Sequence, residues 1–218
     1  MEGKKVTLHY FEGLNALGCI ARLLLKYGNV EFENKNYKRE EWSTHRANFV
    51  FKYLPVLEVD GVQYSQSVAI YFYIAKKLGL AGSSDEQEQV ILSVLNSFVD
   101  IQKGGFDQYS AALQSQVPEK ISEALAILNE TITEIGEGYE KLYVRNGSGK
   151  YFIGDQLSVV DFYLAFWIGE FFSKRFPQVF EVFTKAAPTL SNAIVAYTKG
   201  EIFTALFNSD LYLKDAII

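Results

Sequence analysis

The sequence predicts a small α/β domain followed by an all-helical domain. Three observations lead to this prediction. Residues 54–61 form a short apolar run that ends in Asp60-Gly61, a dipeptide typical of a tight β-hairpin turn. Residues 79–84 are small and flexible, which indicates a linker. Beyond this linker, residues 86–115 and 118–145 carry apolar side chains at helical spacing, over lengths greater than those of most globular helices.

Strands and helices alternate in the first part of the chain. The predicted strands are residues 5–10, 29–37, 54–59 and 62–65. The predicted helices are residues 15–27, a short irregular helix within 40–48, and 66–78. Asn15 is expected to cap the first helix and Gly28 to end it. The order β-α-β followed by β-β-α predicts a thioredoxin-like domain over residues 1–80.

The second predicted domain, residues 86–218, contains only helices. Pro118 suits the first turn of the second long helix, and we expect Ser115 to be the N-cap of that helix. Ser158 and Asp161 have the spacing of a capping box, with Asp replacing the usual Glu or Gln. The residues that follow, 162–167, are apolar on nearly every face, which predicts a buried central helix.

Composition excludes several classes of protein. Hydrophobic residues make up 49% of the 218 residues and charged residues 22%, as in an ordinary globular protein. The net charge of −5 and the pI of about 5.2 argue against a nucleic-acid partner. The single cysteine, Cys19, excludes an intrachain disulfide. The sequence has no Cys/His cluster with the spacing of metal ligands, so we expect no metal site. With no long apolar run and no signal peptide pattern, we expect a cytoplasmic protein without a membrane partner.

The junction at Gln66-Ser67 is the first candidate binding feature. A helix N-terminus leaves backbone N–H groups unpaired and carries partial positive charge, so this junction can hold a carboxylate. Pro55 opens the preceding strand, where its missing N–H could face a ligand instead of a neighbouring strand. An exposed strand end and an anion pocket are therefore expected side by side.

This pattern resembles the glutathione-binding half of the cytosolic glutathione transferases, and the sigma class most closely. The shared features are a strand-opening Pro55, the Asp60-Gly61 turn and the Gln66-Ser67 helix start at fixed spacing. A looser similarity extends over nearly the whole chain, and residues 154–161 look like the buried helix-start motif of the family. The resemblance implies the glutathione transferase fold.

The resemblance also implies glutathione as co-substrate and Tyr10 as the catalytic residue, at the end of the first strand. In the family, a tyrosine at this position donates its hydroxyl to the sulfur of glutathione. The other implied glutathione contacts are Phe11, Trp42, Arg46, Tyr53, Leu54, Pro55, Gln66 and Ser67, with Asn96 or Asp100 reaching the glutathione of a dimer partner. Pro55 is expected to be cis. The expected electrophile pocket contains Phe106, Tyr109, Phe203, Phe207 and Tyr212.

One segment departs from the family pattern. Residues 12–22 are about one residue longer than the corresponding sigma-class stretch, and the family's arginines fall on positions such as Leu14 and Leu17. The missing positive charge is expected to raise the pKa of the bound thiol.

The resemblance favours a homodimeric glutathione transferase that conjugates glutathione to hydrophobic electrophiles in detoxification, with isomerase or peroxidase side activity. A non-catalytic ligand carrier or structural protein of the same fold is the alternative. A thioltransferase acting through Cys19 is the third hypothesis, but a cysteine about one turn inside a helix is usually a small hydrophobe. His9 faces opposite Tyr10 on the strand and is expected to be packed.

Overall fold

The computed structural model of the chain describes residue 1 and residues 3–212. The chain divides into two compact units. The first unit contains residues 1–81 together with the segment that begins at Gly200, and the second contains Gly82–Lys199. The predicted fold class is confirmed, because the first unit is a sheet with helices and the second is mostly helical. The segment after Gly200, which the sequence assigns to the helical domain, groups with the first unit.

The sheet of the first unit has four strands. They are β1 (Val6–Phe11), β2 (Glu33–Tyr37), β3 (Val56–Val59) and β4 (Val62–Ser65). Their order in the sheet is β2-β1-β3-β4. β1 pairs parallel with β2 and antiparallel with β3, and β3 pairs antiparallel with β4. This mixed order agrees with the thioredoxin-like prediction.

The turn between β3 and β4 has the predicted hairpin geometry. Asp60 and Gly61 both have positive φ, 51° and 82°, as a type I′ turn requires. The Asp60 carboxylate also accepts a hydrogen bond from the Lys5 N–H (3.0 Å) and one from the Lys4 ammonium (2.8 Å). The turn is thereby attached to the chain just before β1.

In the described part of the first unit, four α-helices and one 3₁₀ turn accompany the sheet. They are α1 (Leu17–Tyr27), α2 (Trp42–His45) continued by the 3₁₀ turn Arg46–Asn48, α3 (Ser67–Leu78) and α11 (Glu201–Phe207). α1 packs against both α3 and α11. The prediction that Asn15 caps α1 is wrong: Ala16 is the N-cap, and it makes no side-chain capping bond. Gly28 ends α1 as predicted.

The second unit contains the remaining helices. They are α4 (Asp85–Ile101), a π-helical segment Gln102–Phe106, α5 (Asp107–Ser115), α6 (Pro118–Arg145), α7 (Val159–Leu164), a π-helical segment Ala165–Phe172, α8 (Ser173–Arg175), α9 (Pro177–Ala186) and α10 (Pro188–Thr198). The two long helical stretches are therefore confirmed, but the first is kinked at Gly105, whose φ and ψ are not helical. The segment around Gly105 lies close to α6, since a Cβ at Gly105 would be 2.6 Å from the Leu128 Cα.

The start of α6 differs from the prediction. Val117 is the N-cap, whereas Ser115 is the last residue of α5. The Ser115 hydroxyl accepts a hydrogen bond from the Val117 N–H at 3.3 Å, so it stabilises the turn between the helices. The expectation that Ser115 caps α6 is wrong because the chain turns at Gln116, which has a positive φ of 55°.

The predicted capping box at Ser158 and Asp161 is confirmed. The fully buried Asp161 carboxylate accepts hydrogen bonds from the Ser158 N–H and the Phe152 N–H, both at 2.8 Å, and from the Ser158 hydroxyl at 2.9 Å. Burial raises the pKa of Asp161 to about 7, against the opposing effect of these hydrogen bonds. The helix behind the capping box is buried along its length, as the sequence predicts.

No helix in the described part of the chain combines the length and the apolar character needed to cross a membrane. Within residues 3–212, no group of three His, Cys, Asp or Glu side chains is arranged to hold a metal ion.

Candidate functional site

Three segments of the first unit meet at one edge of its sheet. Tyr10 lies near the end of β1 and is followed by Phe11. Val56, at the start of β3, pairs with His9 on one side and with Ser65 on the other. The chain before Val56 and the chain after Ser65 therefore flank the end of β1. The sheet thus brings together the predicted residues at 10–11, 54–55 and 66–67.

Tyr10 is almost completely buried, with 4% of its surface exposed. Burial raises the pKa of Tyr10, and the backbone N–H groups of Gly18 and Leu17, in the first turn of α1, oppose the rise. Because burial disfavours the phenolate, the hydroxyl keeps its proton and can donate it to a ligand.

Gly18 is required for this arrangement. A Cβ at Gly18 would overlap the Cγ and Cδ1 atoms of the Tyr10 ring. The tyrosine ring therefore lies directly against the backbone of α1. The absence of a side chain at Gly18 positions the hydroxyl at the helix N-terminus.

Arg22 is a residue that the sequence analysis missed. The loop before α1 has no arginine, but the Arg22 guanidinium lies 5.5 Å from the centroid of the Tyr10 ring. It donates hydrogen bonds to the Leu14 carbonyl (2.9 Å) and to Asn34 Oδ1 (3.3 Å). The expectation that Tyr10 has no nearby positive charge is therefore wrong. The sequence did contain one sign of this role, since Arg22 is a charged residue within the apolar run of α1.

The Gln66-Ser67 junction has the geometry of an anion pocket. Gln66 is the N-cap of α3, has a positive φ of 72°, and makes no side-chain capping bond. Backbone strain of this kind costs about 1–3 kcal/mol and is common at ligand sites. The Tyr71 hydroxyl donates to the Leu17 carbonyl at the start of α1. Burial raises the pKa of Tyr71, and Ser67 opposes this rise. Tyr71, which the sequence did not identify as a site residue, therefore lies between the start of α3 and the start of α1.

Aromatic side chains surround the end of β1. The rings of Phe11 and Trp42 meet edge to face, with their centroids 5.5 Å apart. Trp42 also packs against Tyr37 and Phe49. Arg46 is exposed four residues after Trp42, so an indole ring and a cation lie on the same short helical segment.

Tyr53, Leu54 and Pro55 connect this segment to β3. The Leu54–Pro55 peptide bond is cis, as the sequence analysis predicts. Leu54 is half-buried and packs against the cluster of Tyr37, Phe49 and Val56. Tyr53 is exposed.

Asn96 and Asp100 belong to the second unit, where both are exposed on α4. They are four residues apart and therefore on one face of the helix. The Asn96 amide donates to the Leu92 carbonyl at 2.8 Å.

The predicted electrophile-pocket residues pack within their own units. In the second unit, Phe106 packs against Phe171, Phe172 and Phe176. Tyr109 is buried, and its hydroxyl accepts a hydrogen bond from Gln178 at 2.9 Å. In the first unit, Phe203 and Phe207 are buried and stack at 6.2 Å, and Tyr212 meets the Phe207 ring at 5.0 Å. Cys19 is fully buried in α1.

Two family models match the chain. The model for the N-terminal domain of glutathione S-transferase matches residues 6–76, and the model for its C-terminal domain matches residues 106–196. The matched ranges include every predicted site residue except Asn96, Asp100 and those beyond residue 196.

Individual proteins and solved structures are similar to this chain over most of its length. Glutathione S-transferase 2 of Caenorhabditis elegans is 31% identical, over 70% of this chain and 81% of its own length. S-crystallin 4 of Enteroctopus dofleini is 29% identical, over 71% of this chain and 75% of its own. The solved structure of prostaglandin synthase D of Nilaparvata lugens has a TM-score of 0.73 and 26% identity, with 94% of this chain and 98% of that chain covered.

Proposed function

This chain belongs to the glutathione S-transferase family, and from that premise we propose that it binds glutathione at the edge of its sheet and transfers the thiolate to hydrophobic electrophiles. Tyr10 is the catalytic residue of the proposal. We further propose a cytoplasmic, sigma-class homodimer, a class favoured by the similarity to a prostaglandin synthase structure.

The observation that carries the proposal is the environment of the Tyr10 hydroxyl. A free thiol has a pKa near ~8.5 and is mostly protonated at neutral pH. A hydrogen bond donated to the sulfur favours the thiolate, and lowering the thiol pKa by about two units requires roughly 3 kcal/mol. Tyr10 suits this role because burial raises its pKa, so the hydroxyl stays protonated and can donate to the sulfur beside the first turn of α1.

The remaining residues of the site suit the two ends of glutathione. Gln66 and Ser67 offer the N-terminus of α3 to the γ-glutamyl carboxylate. The backbone of Leu54 is proposed to pair with the cysteinyl unit as an added strand would, beside cis-Pro55. Trp42 and Arg46 are proposed to hold the glycyl carboxylate, with Phe11 and Tyr53 as flanking contacts.

The negative charge of the protein lies mostly on the second unit. The sequence of the first unit, residues 1–81 and 200–218, contains twelve Lys and Arg and eleven Asp and Glu, whereas residues 82–199 contain nine and fifteen. The unit proposed to bind glutathione therefore repels an anionic peptide less than the second unit does.

In the second unit, Phe106 and Tyr109 are proposed to contact the electrophile. Phe106 is the one member of this set that keeps part of its surface exposed. Phe106→Ala is therefore expected to raise the KM for an electrophile while leaving glutathione affinity unchanged. Asn96 or Asp100 is proposed to face the γ-glutamyl amine of the partner subunit's glutathione.

The test is a glutathione-conjugation assay with an aromatic halide, together with a pH titration of the thiol of bound glutathione. We expect turnover and a thiol pKa below the value for free glutathione. Calorimetry that detects no glutathione binding to the folded chain would overturn the proposal.

A non-catalytic structural or carrier protein is the second candidate, and the similarity to S-crystallin 4 favours it. This alternative predicts glutathione binding with an unshifted thiol pKa and no turnover, so the same two measurements separate the candidates. The complete burial of Cys19 weighs against the third hypothesis, a cysteine-dependent thioltransferase, since that chemistry needs an accessible thiol.

A further inference from the structure

The side chain of Tyr71 connects two helices of the first unit. Tyr71 is fully buried and lies on α3, one turn after Ser67. Its hydroxyl donates a hydrogen bond to the carbonyl of Leu17, the first residue of α1. A phenol hydroxyl has one proton, so this bond uses the whole donor capacity of the side chain. The start of α1 is therefore held by a side chain from α3.

The turn of α1 that Tyr71 holds is the turn that lies against Tyr10. A Cβ at Gly18 would overlap the Tyr10 ring, and the N–H groups of Leu17 and Gly18 oppose the rise in the Tyr10 pKa. Ala16, the N-cap of α1, makes no side-chain bond that would fix this turn from within the helix. The position of the turn therefore depends on bonds from other elements, and the Tyr71 hydroxyl makes one of them.

We propose that Tyr71 is a positioning residue, whose hydroxyl fixes the first turn of α1 so that the Tyr10 hydroxyl is directed at the sulfur of bound glutathione. The inference rests on the proposed function and adds to it a residue of α3 that acts through α1. Burial raises the pKa of Tyr71 well above the usual value for tyrosine, so its hydroxyl remains a donor throughout the pH range in which a thiol titrates. Small displacements of a catalytic group lose rate steeply, so the loss of this one bond should be measurable.

The experiment compares Tyr71→Phe with Tyr143→Phe. We expect Tyr71→Phe to raise the thiol pKa of bound glutathione, and the pKa in the pH profile of kcat/KM, by about half a unit to one unit. The kcat at neutral pH should fall about three- to tenfold. Affinity for S-methylglutathione, which cannot form a thiolate, should stay within about twofold of the wild-type value. Tyr143→Phe is the matched control, since Tyr143 is buried in the second unit and its hydroxyl also donates to a backbone carbonyl, that of Gly149. This control should leave the thiol pKa, kcat and S-methylglutathione affinity unchanged.

Two results for Tyr71→Phe overturn the inference. Loss of urea stability with an unchanged thiol pKa means that the hydroxyl has a structural role only. Weaker binding of S-methylglutathione with an unchanged thiol pKa assigns Tyr71 to the anion pocket at Ser67 instead. In a Tyr10→Phe background, Tyr71→Phe is expected to leave the thiol pKa unchanged, because its effect acts through the Tyr10 hydroxyl. An equal shift in both backgrounds contradicts the positioning role.

A measurement on the wild type covers the case in which Tyr71→Phe does not fold. The ¹³Cζ resonance of the Tyr71 ring should titrate with the same midpoint as the thiol of bound glutathione, because the thiolate strengthens the bond from Tyr10 and so shifts the turn that Tyr71 holds. A resonance that stays constant through the thiol titration overturns the inference. Absence of glutathione binding to the wild type, or a bound thiol with the pKa of free glutathione, contradicts the proposed function itself, so the two failures are distinguishable.

Discussion

Tyr10→Phe removes one hydroxyl and leaves the ring that packs on α1. We expect glutathione affinity to be retained, because the hydroxyl is proposed to act on the thiolate rather than on the neutral thiol. The conjugation rate at neutral pH is expected to fall about 10- to 1000-fold, the usual effect of losing a hydrogen bond to a developing anion. Steady-state kinetics and calorimetry measure the two effects separately.

Tyr73→Phe is the matched control for this substitution, since Tyr73 lies on α3 and stacks on Tyr64 away from the end of β1. This control substitution should leave glutathione affinity and the conjugation rate unchanged. If Cys19→Ala abolishes activity and Tyr10→Phe does not, the thioltransferase hypothesis replaces the tyrosine mechanism.

Ser67→Ala tests the anion pocket at the start of α3. The substitution removes a hydroxyl that is proposed to bond to the γ-glutamyl carboxylate, and it leaves the backbone N–H groups in place. We expect calorimetry to show glutathione binding weakened by about 1–3 kcal/mol, the effect of leaving a charged group short of one partner. Ser93→Ala, in the second unit, is the control. Unchanged affinity in Ser67→Ala would mean that the carboxylate binds elsewhere.

At the scale of elements, the contact between β1 and α1 depends on Gly18. An added methyl group would overlap the Tyr10 ring, so Gly18→Ala should displace the ring and its hydroxyl. We expect kcat/KM to fall about tenfold or more, because misplaced catalytic groups lose rate steeply. Helix propensity alone would favour alanine here by about 1 kcal/mol.

Gly138→Ala is the matched control for Gly18→Ala. Gly138 also lies inside a helix, α6, and no atom beyond its own helix backbone and chain neighbours lies within 4 Å of an added Cβ. It should therefore gain stability without loss of activity. Normal kinetics in Gly18→Ala would show that the ring can move without consequence.

His9 makes the stability of the sheet dependent on pH. It is buried on the opposite side of β1 from Tyr10, as the sequence analysis predicts, with Nδ1 2.9 Å from the Tyr37 hydroxyl. Burial lowers the pKa of His9, and Glu58 opposes this from 3.8 Å. The unfolded chain, with a histidine pKa of about 6.5, therefore binds the proton first as the pH falls.

Stability should consequently decrease as the pH falls below about 6.5, by at most about 1.4 kcal/mol per pH unit from this group. The loss should level off once the pH is below the pKa in the folded state. Urea unfolding of wild type and His9→Gln between pH 7.5 and 5 measures the difference. His45→Gln, at the other histidine, controls for the general effect of the substitution. A wild-type curve parallel to that of His9→Gln would contradict the prediction.

Local signals account for the elements that the sequence predicted. The Asp60-Gly61 turn and the Ser158–Asp161 capping box each depend on residues within four positions of one another. Asn15 is not a cap: it is buried, and α1 has its N-cap one residue later, at Ala16. Arg22 and Tyr71 could not be identified because their roles depend on what lies against them from other elements. Such contacts leave no spacing pattern in the chain.

At the scale of the whole molecule, the position of the segment after Gly200 also depends on contacts that the sequence does not reveal. Glu201–Phe207 has the composition of another helix of the second unit, and no linker precedes it. It nevertheless packs on α1, where Phe203 and Phe207 are buried. Which unit a C-terminal helix joins is decided by the surface that accepts its apolar face. The sequence of the helix alone does not contain that information.

The proposed homodimer needs an exposed apolar surface. On α4 the apolar side chains of Val90, Ile91, Val94, Leu95 and Phe98 are buried within the chain, and Val99 is exposed. In the first unit, Val50, Phe51 and Tyr53 are all exposed within four residues. We predict that a second copy of the chain covers this segment, since exposed apolar clusters often mark interfaces.

Light scattering of the wild type at micromolar concentration should give twice the chain mass of 24.7 kDa. Phe51→Ser should shift the mass towards the monomer, because it removes a large apolar side chain that is 55% exposed in the single chain. Val62→Ser is the matched control, since Val62 is 56% exposed on the edge strand β4 and lies outside the proposed interface. A wild-type mass near 24.7 kDa with full conjugation activity would overturn the dimer, and with it any role for Asn96 or Asp100 at a partner subunit's glutathione.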